Sequence, residues 1–208
     1  MAEVVTRGIG RVERTADRAQ VDVSFETVGG DRDEAVTRLT EQVRAVEPLL
    51  GGDGVEVRSR TLSVHDNWDG ERRAGSRAVQ HYVLRVTELG ELDGLLSGLV
   101  QAGPQWLNGP TWELRDDAEA VREAQGEAVA NARRRAENYA AALGALLGPL
   151  QRLSDGDSDV WQAESGQPMM SRAHAGGGTA GADVGELNLQ AQQITVTVRC
   201  TAAWTLLN

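Results

Sequence analysis

The alternation of apolar and polar residues is cleanest at the end of the chain. Ile194, Val196, Val198, Cys200, Ala202, Trp204 and Leu206 interleave with Thr195, Thr197, Arg199, Thr201 and Thr205, the period-two signature of a strand with one buried face. The same alternation runs through Ala19, Val21, Val23 and Phe25. Residues 3–13, rich in Val and Arg around Gly8 and Gly10, lead into it through Thr15-Ala-Asp17. This reads as two strands with a tight connection. After Gly29-Gly30, Asp31 is placed to cap a helix whose apolar positions Ala35, Val36, Leu39, Val43 and Val46 recur at three and four, with Pro48 near its end.

Residues 55–65 read as a strand, Asp66 to Arg77 as a polar loop holding Asn67-Trp68-Asp69-Gly70, and 78–87 as the returning strand of a long hairpin. Leu89, Leu92, Leu95, Leu96, Leu99 and Val100 give a second helical stripe, stopped by Gly103-Pro104, and Trp106 to Leu114 is the next strand. From Asp116 to about Leu147 runs the longest helical pattern. Its acids come early, which suits the helix dipole, and Ala124, Ala128, Ala132, Ala136 and Ala140 form a smooth stripe at i+4 spacing that allows close approach to a sheet or helix. Leu150 to Leu153 starts a short strand, and 154–186 reads as loop, with a glycine tract at 176–185 whose middle is expected to be mobile.

Residues 17–115 thus give strand, helix, strand, strand, helix, strand, the order of a ferredoxin-like βαββαβ core. The N-terminal strand, the long Ala-rich helix and the C-terminal strand extend it. The layer rule then predicts an α+β fold: a single mixed, mainly antiparallel sheet with helices on one face.

Composition narrows the function. With 208 residues and 40% apolar content the chain is long enough to bury a core as one domain. Its first residues lack an apolar targeting core and no later run approaches the roughly 18 apolar residues that span a bilayer. A cytoplasmic protein without membrane insertion is expected. A net charge of −10 repels a phosphate backbone, and Arg133-Arg134-Arg135 falls inside a helical pattern where the three side chains diverge into solvent, so nucleic acid is not an expected partner. All 21 basic residues are arginine, which excludes Schiff-base, P-loop and Ser-Lys chemistry. Cys200 is the only cysteine and reads as a buried strand residue, excluding internal disulfides and multi-thiolate zinc sites.

Several segments together resemble the SIMPL-domain family, a bacterial family of largely unassigned function. They are the opening strand Gly8-Ile-Gly10-Arg-Val, then Ala16-Asp17-Arg-Ala-Gln-Val-Asp-Val where the family has Pro-Asp-x-Ala-x-Val-x-Val, and Ala102-Gly-Pro-Gln-Trp-Leu-Asn108-Gly109-Pro-Thr-Trp112. The Ala-rich helix ending Ala140-Ala-Ala-Leu143-Gly144 and the closing Ile194-Thr-Val-Thr-Val are similar too. Where the family has Pro-Gly before the last strand, this chain has Ala191-Gln192. The resemblance implies one domain over 1–208, with a flexible Gly-rich loop around 165–186, and a homo-oligomer. It implies no catalytic residues, since the family offers no agreed set.

The candidate sites are few. Gly8-x-Gly10 lacks the third glycine and the following helix of a dinucleotide fingerprint and reads as a tight turn or bulge. Asp155, Asp157 and Asp159 alternate as at the start of a calcium loop, but Val160 and Gly166 occupy the positions that need Gly and Glu. They are weak metal candidates beside a solvated acidic turn. His65 and Asp66 meet His81 across the hairpin only if the register allows, which would form a metal triad; ordinary strand histidines are the plainer reading. Ser165 lacks the context of a nucleophile elbow. Of five tryptophans, Trp106, Trp112 and Trp204 fall in strand patterns and are expected in the core, whereas Trp68 and Trp161 lie in polar loops as candidate interaction anchors. No cofactor is expected. The leading expectation is a non-enzymatic module that binds itself or another protein through strand edges and the Trp68 and Trp161 loops. The alternative is an enzyme, or a small-ligand or metal binder, with a pocket near the 55–87 hairpin.

Overall fold

The computed structural model describes residues 2–156, 159–162 and 184–207. In chain order the elements are β1 (Glu3–Thr15), β2 (Arg18–Gly29), α1 (Arg32–Val43), α2 (Glu47–Leu50), β3 (Val55–Asp69), β4 (Arg72–Val86), α3 (Leu92–Gln101), β5 (Trp106–Glu113), α4 (Ala118–Ala142), β6 (Leu146–Asp155), β7 (Asp159–Gln162) and β8 (Gln193–Leu207). Short 3₁₀ turns occupy Leu89–Glu91 and Val184–Leu187.

The α+β class holds, but the strands form two sheets, and every described ladder is antiparallel. The expected single mixed sheet is therefore corrected. Its error began at Thr15-Ala-Asp17, where the chain leaves one compact unit for the other, so β1 and β2 are consecutive without pairing. The reason lies in their inward faces. The glycines of β1 suit the backbone of an alanine helix, and the bulky Val21, Val23 and Phe25 of β2 suit helices carrying larger side chains.

The first unit takes the chain up to Ala16, resumes at Leu114 and includes the chain from Gln192. Its sheet runs β1-β8-β6, with β7 also paired to β8. Helix α4 lies on β1 and β8, and Ala120, Ala124, Ala128, Ala132 and Ala136 pack with Val12, Val196, Val198, Cys200, Ala202 and Trp204. Gly8 and Gly10 sit in mid-strand, in unbroken register opposite Cys200 and Val198, so the turn or bulge reading is overturned. A Cβ on Gly8 would lie 1.9 Å from the Ala128 carbonyl oxygen, and one on Gly10 1.9 Å from that of Ala124. Only glycine admits this helix so close to the strand.

The second unit spans Asp17–Glu113 and includes the turn at Val184–Leu187. Its sheet order, β3-β4-β2-β5, is that of the expected ferredoxin-like core. Helix α1 packs on β2 and β4. Asp31 accepts from the Glu34 N–H at 2.8 Å, while the Glu34 carboxylate accepts from the Gly30 N–H at 2.7 Å, a reciprocal cap. Pro48 does not end α1. It occupies the first turn of α2, where its missing N–H costs nothing. The core holds Phe25 and Tyr82 edge to face at 6.2 Å, and α3 buries Leu92, Leu95, Leu96 and Leu99.

Candidate functional site

The hairpin of β3 and β4 continues through what the sequence suggested was a loop. Asp69 pairs with Arg72 across the turn at Gly70-Glu71, where Gly70 takes φ +62°. Trp68 is consequently a strand residue at the hairpin end, opposite Arg73, and is 59% exposed. Beside it Asp66 accepts from Arg73 at 3.1 Å and lies 3.5 Å from Arg32. Together with Asp31 and Asp33 these groups line an open recess of about 450 Å³. Arg32, Asp66 and Arg73 already serve one another, Asp31 serves the helix cap, and Asp33 stands in the first turn of α1.

Strand β3 is an edge: among the described residues it pairs with β4 alone. From Ser59 to Asn67 the register is continuous, bounded by irregularities at Val57/Ser59 and Asn67/Trp68. This stretch contains neither Pro nor Gly, and Thr61-Leu-Ser-Val-His65 carries no carboxylate or arginine. Leu62 in its middle is 55% exposed. Such edges template pairing with another chain unless charge, proline or a bulge blunts them.

Of the other edges, β7 is only four residues long, and those of β1, β5 and β6 are blunted. Along β1, α4 supplies what a pairing strand would. Asn131 accepts from the Ile9 N–H at 3.3 Å, Glu127 from the Arg11 N–H at 3.1 Å, and Arg135 donates to the Arg7 carbonyl at 2.9 Å. Strand β5 contains Pro110, which has no N–H to offer, and β6 contains Pro149 and two register shifts.

The open face of the second unit's sheet carries paired charges: Arg77 with Glu26 at 2.7 Å and Arg85 with Glu113 at 3.1 Å. His81 lies 3.7 Å from Asp22, which also accepts from Gln20 at 3.1 Å. Trp106 stacks on the His81 ring with centroids 6.2 Å apart. Trp106 is 48% exposed, against the expectation of a core residue, because it points to this helix-free side of an edge strand. Trp112 and Trp204 are buried as expected. The proposed His65, Asp66 and His81 triad does not assemble. His65 pairs with Arg77 and His81 with Thr61, which separates them by four strand positions, roughly 13 Å. Among the described residues no group of three or more His, Cys, Asp or Glu is placed to hold a metal ion.

On the opposite, helix-bearing side, Tyr82 ionises above its ordinary 10.0 because burial penalises the phenolate. Arg60, whose guanidinium sits 5.1 Å over the ring, opposes that shift and Glu47 adds to it.

Of the remaining candidates, Asp155 lies on β6 opposite Cys200, and Asp159 on β7 opposite Thr197. Asp157 falls outside the described residues, as do Ser165 and the middle of the glycine tract. Trp161 lies in β7, opposite Thr195, and its side chain is outside what is described. Cys200 is buried, and with Val198, Leu153, Asp155, Val129 and Gln125 it lines a groove of about 380 Å³ within the first unit. The sequence reading missed two features, Trp106 on the open face and the sealing role of Glu127, Asn131 and Arg135. The second was visible in principle as polar residues at i+4 spacing on α4, adjacent to the alanine stripe.

The geometry defines an α+β protein with a ferredoxin-like sheet in one unit and a glycine strand under an alanine helix in the other. A family model described as SIMPL, protein of unknown function (DUF541), matches residues 4–204, and the chain belongs to that family. No curated protein matches it. No helix among the described residues is long and apolar enough to cross a membrane.

Proposed function

We propose that this chain is a non-enzymatic, self-associating module whose contact surface is the outer edge of β3 and the hairpin end that carries Trp68. The observation behind this reading is the contrast among edges. α4 side chains seal β1 and prolines interrupt β5 and β6, whereas β3 presents nine regular residues, with an exposed Leu62 and, just beyond them, an exposed Trp68. An exposed tryptophan beside a continuous strand edge supplies anchor and hydrogen-bonding template together.

The test is absolute mass by light scattering over a dilution series, for the wild type, Trp68→Ala and Trp161→Ala. A defined oligomer that dissociates at higher concentration in Trp68→Ala than in the wild type is expected. A wild type that stays monomeric throughout overturns the reading and turns attention to binding of a different protein.

A further inference from the structure

We propose that the strand completing the β3 edge belongs to a second copy of this chain, aligned antiparallel about a two-fold axis through Ser63. The proposal rests on the self-association reading and adds the partner, the strand and the register. On the helix-bearing side of β3 lie Arg60, Leu62, Val64 and Asp66, paired across to Tyr82, Gln80, Ala78 and Ser76. Arg60 confirms that side by its contacts with Tyr82 and with Glu47 at 3.0 Å. Read along the strand, this row is cation, apolar, apolar, anion, with Ser63 at its centre on the other face. A two-fold axis perpendicular to the sheet keeps like faces together, so it must pass through a residue.

Through Ser63 the axis sets Arg60 against the partner's Asp66 and Leu62 against the partner's Val64, each twice. Both charges are part-exposed, and each already has a partner in its own chain, Glu47 for Arg60 and Arg73 for Asp66, so the second copy would extend these pairs into a shared network. Moving the axis to Leu62 puts Arg60 against an apolar side chain, and moving it to Val64 puts Leu62 against Asp66. The row is self-complementary in one register only.

Directly opposed residues of an antiparallel pair have Cα atoms about 4.5–5.5 Å apart, within disulfide range. Ser63→Cys is therefore expected to yield a disulfide-linked dimer on mild oxidation with diamide. Thr61→Cys alone stays uncrosslinked, and Thr61→Cys combined with His65→Cys crosslinks. The wild type is the control, because its only cysteine is buried. Leu62→Lys, which places a charge on the edge without touching the core, is expected to raise the dissociation concentration by about tenfold or more. An oligomeric wild type whose Ser63→Cys variant does not crosslink and whose mass Leu62→Lys leaves unchanged overturns this interface while self-association stands. Crosslinking of Thr61→Cys as efficient as that of Ser63→Cys overturns the register. A strictly monomeric wild type removes both readings.

Discussion

Glycine plays opposite parts in β1, under α4, and on the outer side of α4 itself. At Gly10 a Cβ would collide with the Ala124 carbonyl, which belongs to a helix backbone and cannot rotate away. Gly10→Ala is expected to cost about 3 kcal/mol in denaturant unfolding, at the upper end of ordinary overpacking. At Gly126, on the outer side of α4, nothing lies within 4 Å of a built Cβ. Gly126→Ala is expected to stabilise by about 0.5–1 kcal/mol through helix propensity and a less free unfolded chain. Tyr82 gives a pH signature. Its folded pKa is raised by burial, so the fold holds more protons than the unfolded chain once pH exceeds the unfolded value. That stability is fully present below about pH 10 and is lost as pH rises through the folded pKa. Tyr82→Phe keeps the ring and is expected to flatten this part of the decline of the urea midpoint with pH.

Among the elements, β1 shows how a strand edge is closed without a further strand. Residues 127, 131 and 135 of α4 follow residues 11, 9 and 7 of β1 because helix and strand run oppositely and one helical turn advances about as far as two strand residues. Removing two of these groups with Glu127→Ala and Asn131→Ala leaves exposed N–H groups that water can satisfy. The expected stability loss is modest, about 1 kcal/mol by thermal melting, with concentration-dependent association at the newly opened edge as the larger effect. Most strands and helices were legible because their periodicity is local, but the helix expected to about Leu147 ends at Ala142, Leu146 already begins β6, and β7 lies inside the expected loop. Trp68 and Trp106 were misplaced for different reasons. A run of polar residues does not distinguish a loop from a solvated hairpin end, and a strand pattern does not say which side of the sheet lacks a helix.

On the scale of the whole molecule, one unit is nearly contiguous in sequence and the other is assembled from the chain's beginning, middle and end. β8 pairs with β1, β6 and β7, so the first unit's sheet depends on the last strand. A chain ending at Ala191 is expected to lose that sheet while Asp17–Glu113 survives as a protease-resistant fragment, identified by its mass after limited proteolysis. A wholly degraded chain would show instead that the second unit does not persist without β8.

The sequence alone determined most of the elements, the ferredoxin-like order, the alanine stripe and the family resemblance, since each is written in local spacing or in contiguous motifs. Only the tertiary structure decided that the strands divide between two sheets, that Gly8 and Gly10 serve the distant helix at Ala128 and Ala124, that His65 and His81 stay apart, and which long edge is left open. Those outcomes depend on register and on which surfaces fit at close range. Residues distant in the chain fix both through shape and hydrogen bonding, and neither leaves a periodic trace in the order of the amino acids.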